Sequence, residues 1–201
     1  QERPHVIEVR RSLSGFLESE AAPGEGHLST TGEPGGLWRG RGKAPNKLVG
    51  IGFTAMGWAM DEPGYIRKPD SFNSRAEFIF EGIDSDEVIG DFGLVLGGAV
   101  GDETDRVDSD LGTPAHTLLL ASSGPHSREM FPVLEDLTEV SASLITGSDP
   151  NVRADMVYFE TPGDGAVFSV GSINWMGSLP YNDYNNNVSR VTENVLRRFM
   201  D

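Results

Sequence analysis

Residues 154–173 read ADMVYFETPGDGAVFSVGSI, and this stretch decides the fold class. Two runs rich in Val, Phe and Tyr, 154–161 and 166–173, flank TPGDG, whose Asp164 and Gly165 form a hairpin signal. Strand-forming residues on both sides of such a turn predict two antiparallel strands. Downstream, apolar residues fall at Val188, Val191, Val195, Leu196, Phe199 and Met200, in steps of 3, 4, 1, 3 and 1. That is the stripe of an amphipathic helix, with Asn187 as its expected N-cap. Arg197 and Arg198 stand at the end where cations are favoured.

Working upstream, 117–123 (TLLLASS) is a continuous apolar run of the kind that fills a parallel sheet covered on both faces. Residues 92–97 (FGLVLG) and 76–83 (AEFIFEGI) read as further strands, and 48–55 (LVGIGFTA) as one whose glycines permit close backbone approach. The runs 92–97 and 117–123 are expected side by side in one central sheet, with the helix over 188–200 docked on it by Val191, Val195 and Phe199. Residues 4–11 form a short β-type run, and 128–140 a short helix with Met130, Phe131, Leu134 and Leu137 on one face. Between them, 13–46 is a long Gly/Pro-rich loop without periodic pattern, expected to cover another chain, an upstream domain or its own sheet. Five to seven strands with two helices imply an α/β layered fold: a central β-sheet with flanking helices and an antiparallel hairpin extension, as a single domain over 1–201.

Composition narrows the function classes. The 201 residues carry a formal charge of −15, which repels nucleic-acid phosphate and anionic membrane surfaces. No apolar run approaches the ~20 residues of a membrane span. The absence of Cys removes disulfides, thiolate metal sites and a Cys nucleophile. The chain opens QERPHVIEVRR, without Met or a signal-peptide core, and reads as a part of something longer.

The most polar segment, 101–116 (GDETDRVDSDLGTPAH), directly follows the run 92–97. Ligands of open α/β sheets sit beyond the carboxyl ends of strands, so this position suits a site. A carboxylate at Glu103, flanked by Asp102 and Asp105, is expected to hold its proton tightly and to suit general acid–base work. From chemistry alone, the same residues read more readily as an acidic surface loop with an Asp–Arg pair. His5, His27, His116 and His126 lie far apart and show no H-x-x-x-H spacing. The acidic run lacks the Gly and terminal Glu of a Ca²⁺ loop, and there is no G-x-S-x-G nucleophile elbow. Residues 32–43 (GEPGGLWRGRGK) match neither phosphate-binding fingerprint. Tyr181, Tyr184 and Asn185 to Asn187 read either as a pocket rim or as turn and capping residues.

The strings VIEVRR, GEPGGLWR, AEFIFEGI, FGLVLGGAVGDETDR, LGTPAH and the long ADMVYFETPGDGAVFSVGSINWMGSLPYNDYNNNVSRVTENVLRRF occur in one order and cover most of the chain. Together they resemble the C-terminal part of the large (β) subunit in the bacterial N,N-dimethylformamidase family. The resemblance implies the C-terminal portion of a glutamine-amidotransferase-like layered domain in a cytoplasmic enzyme. It implies hydrolysis of N-substituted formamides to formate and an amine, and an iron held by two tyrosines and a glutamate. The family's glutamate ligand sits in an HPEYW-type motif and a pocket asparagine in a GGNG-type motif. Neither string occurs here, so both are expected upstream of Gln1. The acidic pocket residue of the family's G-D-E-x-D-R motif maps onto Glu103, the one catalytic residue the resemblance places in this chain. The partners it implies are a small amide substrate, the upstream part of the same subunit, a small subunit and further copies. A second reading makes the chain a non-catalytic α/β assembly or ligand-binding module.

Overall fold

The computed structural model describes residues 31–33, 35, 38–58, 63–127, 129–133 and 149–201. Backbone proximity divides the chain into two units, Gln1–Pro45 and Asn46–Asp201. In the first, a 3-10 turn at Trp38–Arg41 is closed by Lys43 N–H donating to Trp38 O at 2.9 Å. The strand expected over 4–11 and most of the 13–46 loop lie outside the described residues.

The second unit holds two antiparallel sheets. Strands β1 (Gly52–Gly57), β3 (Asp102–Arg106) and β5 (Met130–Pro132) form one, in the order β3-β1-β5. Strands β2 (Tyr65–Arg67), β4 (Leu118–Ser123), β6 (Asp155–Thr161) and β7 (Gly165–Ser169) form the other, in the order β2-β4-β6-β7. Among the described residues the helices are α1 (Asn46–Val49), α2 (Trp175–Ser178) and α3 (Asn187–Met200). The described residues are therefore α/β, with two antiparallel sheets where one central sheet was expected.

The hairpin forms as its sequence predicts. Thr161 pairs with Gly165, and Gly163 and Asp164 turn the chain with φ of 89° and 66°. The run 117–123 becomes β4, but its partners β2 and β6 are both antiparallel. Its unbroken apolar character has another cause: a register shift between Leu119 and Ala121 breaks the alternation, so Leu120, Ala121 and Ser122 are all buried.

Two expected strands are not strands. In 76–83, Ala76, Ile79, Phe80 and Ile83 are buried, the i, i+3, i+4, i+7 spacing of a helical face, and Glu77–Phe80 is a 3-10 turn. Residues 92–97 bend instead, because Leu96 and Gly97 take φ of 52° and 83°. Leu94 N–H donates to Gly177 O of α2, so this run packs on a helix and is no neighbour of β4. The strand expected over 48–55 begins only at Gly52, since 46–49 form a helical turn that Gly50 ends with φ 83°. Of the helix expected over 128–140, residues 130–132 form β5, and 134–140 lie outside the described residues.

Helix α3 stands where its stripe places it, with two corrections. Asn186 is the N-cap, its side chain accepting from Ser189 N–H at 2.8 Å, while Asn187 is buried and tied to Glu87, Val88 and Gly90. Val188, Val191 and Val195 are buried, whereas Phe199 is 47% exposed. The three valines pack with Ile79, Leu120, Met156 and Tyr158 in one core, each worth roughly 1.5–3 kcal/mol when fully buried. Tyr65 closes that core edge-on to Trp175, which in turn donates from Nε1 to Thr192 Oγ1.

Candidate functional site

The acidic segment begins as a strand, β3, and continues as a loop over 107–116. β3 is held along both edges: β1 on one side, and residues 171–172 after β7 on the other. Asp105 N–H donates to Gly171 O at 2.8 Å, and Thr104 bridges Ser172. Ser172 Oγ accepts from Gly101 N–H and donates to Gly101 O, both at 3.0 Å, fixing the point where the strand begins. Gly171 is required at this crossing. Its φ is 71°, and a Cβ there would lie 2.6 Å from Asp105 O and 2.8 Å from Asp155 O.

Alternation along β3 then separates its side chains. Thr104 points inward, fully buried, its Oγ1 donating to Ala55 O at 3.4 Å. Glu103 points the other way and is exposed, and the described residues offer its carboxylate no hydrogen bond. Asp105 shares the Glu103 side but is half-buried. Burial, and then the negative charge of Glu103, push its carboxyl up from 3.8 to about 6. The partly buried acid expected at Glu103 is thus found two residues on, at Asp105.

The other charges of this region are engaged. Asp102, with φ 62°, accepts from Trp58 Nε1 at 2.6 Å. Arg106 donates to Asp108 Oδ2 at 3.0 Å and to Thr54 Oγ1 at 3.2 Å, which is the Asp–Arg pair of the alternative reading, made with Asp108. Asp155, fully buried on β6, accepts from Ser122 Oγ, Arg153 Nε and Val107 N–H. Burial holds the Tyr65 hydroxyl well above its ordinary value, helped by Asp155 and Asp105, and that hydroxyl donates to Val170 O.

Glu103 is joined on the outer face by residues that motif reasoning did not single out. Met56 is its register partner on β1, and Phe131 on β5 is the partner of Met56. All three are exposed, forming one row across the three strands. The signal was latent in sequence only as strand alternation, which becomes readable once the pairing register is known.

An open pocket of about 510 Å³ lies at the other end of β3, walled by Arg106, Asp108, Thr113, Thr117 and Leu119 among others. It excludes Glu103. Its polar groups mostly hold the loop itself: Asp108 Oδ1 accepts from the N–H groups of Asp110 and Leu111, and Thr113 Oγ1 donates to Gly50 O. The two described histidines are structural, His116 beside Glu160 O and His126 beside Ser123 Oγ. Tyr181 stacks on Phe92, and Asn186 caps α3.

Residues 1–187 match the family model described as N,N-dimethylformamidase beta subunit-like, C-terminal. The chain is 50% identical over 200 residues to the N,N-dimethylformamidase beta subunit of Paracoccus aminophilus, covering 99% of this chain and 26% of that protein. It is 48% identical over 200 residues to the N,N-dimethylformamidase beta subunit of Alcaligenes sp, with the same coverage of 99% and 26%. It therefore spans about a quarter of the length of these curated relatives. On a match of this extent, the chain belongs to the N,N-dimethylformamidase beta subunit-like family and corresponds to its C-terminal part.

Proposed function

We propose that this chain is the C-terminal region of an amide hydrolase that converts N-substituted formamides such as N,N-dimethylformamide to formate and an amine, with Glu103 as its proton carrier. The observation that carries the reading is the state of Glu103 within a family whose relatives bear that name: an exposed carboxylate on a strand fixed along both edges. An amide nitrogen leaves poorly unless it is protonated. Water adds to the formyl carbon, the C–N bond breaks, and the nitrogen must gain a proton as it departs. A carboxyl beside the scissile bond takes a proton from the attacking water and delivers one to nitrogen. Rigid placement matters more than burial for that task, because the transfer succeeds only within hydrogen-bond reach.

Among the described residues no three His, Asp or Glu side chains converge to hold a metal ion. The iron that the family resemblance implies is held by two tyrosines and a glutamate, and this reading assigns those ligands to the upstream part of the subunit. The same reading takes the two sheets as the C-terminal portion of a glutamine-amidotransferase-like layered domain, completed by that upstream sequence, in a cytoplasmic assembly with a small subunit and further copies. No described helix is long and apolar enough to cross a membrane. The test is formate release from N,N-dimethylformamide by the full-length subunit with its partners, wild type against Glu103→Gln at equal metal content. Activity of the variant within about threefold of wild type overturns the assignment, since a positioned acid or base contributes roughly 10²–10⁴.

A further inference from the structure

The solvent face of a strand ordinarily carries polar residues, yet the row beside Glu103 is apolar. Met56 is 43% exposed and Phe131 55% exposed, and their register leaves no strand between either of them and its neighbour in the row. On its other edge β3 meets the backbone of Gly171 and Ser172, and Ile173 just beyond them is 46% exposed. We propose that Met56 and Phe131 seat the N-alkyl groups of the amide, and so determine the preference for N-substituted over unsubstituted formamides. The inference rests on the reading of Glu103 as proton donor to the leaving nitrogen.

The geometry follows from what is attached to that nitrogen. An N-methyl carbon is one bond from the atom that takes the proton, so it must lie close to the Glu103 carboxyl. Neighbouring strands stand about 4.8 Å apart, which places Met56 beside that carboxyl and Phe131 one strand further. A dimethylated nitrogen presented to Glu103 has Met56 as an apolar neighbour in the β1 direction. Formamide itself, without alkyl groups, gains nothing from the row. The thioether of Met56 adapts to groups of different size, while Phe131 offers a ring face at the far end.

The experiment compares kcat/KM for formamide, N-methylformamide and N,N-dimethylformamide in the full-length, assembled protein. The variants are Met56→Thr and Phe131→Thr, with Met56→Leu as an apolar replacement; threonine suits a strand, so each position keeps its local preference. The preference for N,N-dimethylformamide over formamide should fall roughly tenfold in each threonine variant, the scale of a methyl group lost from an apolar seat. It should stay within about threefold in Met56→Leu. Because the preference is a ratio measured on one preparation, the amount of folded enzyme cancels. A ratio within about twofold of wild type in both threonine variants overturns the seat and leaves the role of Glu103 intact. Wild type that releases formate from none of the three overturns both.

Discussion

The two sheets of the second unit use the same short antiparallel strands and treat carboxylates in opposite ways. In the four-stranded sheet, Asp155 is fully buried and both of its oxygens accept hydrogen bonds. At the end of the same strand, Glu160 is gripped by the Arg75 guanidinium, which holds its carboxyl below the usual range. In the three-stranded sheet, Glu103 is exposed with no hydrogen bond from the described residues, and the neighbouring Asp105 is half-buried with its proton affinity raised. A carboxylate whose lone pairs are all occupied holds structure together. One that receives no hydrogen bond from the described residues leaves its oxygens open to other groups.

Replacing each acid by its amide sharpens that contrast or breaks it. Glu103→Gln should lower kcat of the assembled enzyme by roughly 10²–10⁴. Its unfolding free energy should change by less than about 0.5 kcal/mol, as for an ordinary surface substitution. Steady-state kinetics and urea denaturation on the same preparation check both halves. Asp155→Asn should do the reverse, costing about 3 kcal/mol of stability, because Arg153 then loses the charge that faces it. An Asp155 variant as stable as wild type would dissolve the distinction between the sheets.

Asp105→Asn should stabilise the protein, and only above a certain pH. The folded carboxyl titrates near 6 and the unfolded one near 3.8, so the folded state binds the extra proton between these values. Stability from this group is fully present below about pH 4 and is lost as pH rises through 6. At pH 7.5 the Asn variant should be about 1–2 kcal/mol more stable than wild type, and near pH 4 the two should coincide. Denaturation at the two pH values decides the matter; a gap that is constant with pH refutes the raised proton affinity. The smallest effect is expected at Glu160→Gln. Its ion pair with Arg75 is substantially solvent-exposed, so the loss should stay below about 1 kcal/mol and shrink further in salt.

What the sequence disclosed follows the reach of each signal. The hairpin around Asp164 and the stripe of α3 depend on neighbours a few residues apart, and both form as expected. The run 76–83 carried two patterns at once, and its buried set at 76, 79, 80 and 83 obeys the helical one. Residues 92–97 are apolar enough for a strand, but the left-handed φ at Leu96 and Gly97 turns them onto α2. Composition carries no mark of such a turn at a leucine. The acidic segment stood out in the sequence as a candidate site, whereas its division into an exposed Glu103 and a half-buried Asp105 required strand alternation and a pairing partner. Met56 and Phe131 lie 75 positions apart and meet only through β-pairing, which no local pattern encodes.

The crossing at Gly171 also has a meaning for anyone sorting sequences. No L side chain fits there without displacing the backbone of either Asp105 or Asp155, one on each sheet. A change at this position is therefore not a local matter, since it alters where Glu103 stands relative to the four-stranded sheet. Among chains that align with this one, those with another residue opposite Gly171 should have a shifted or rebuilt β3. Position 171 thus serves as a filter: it separates chains that inherit the geometry of the carboxylate from those that share only the overall likeness.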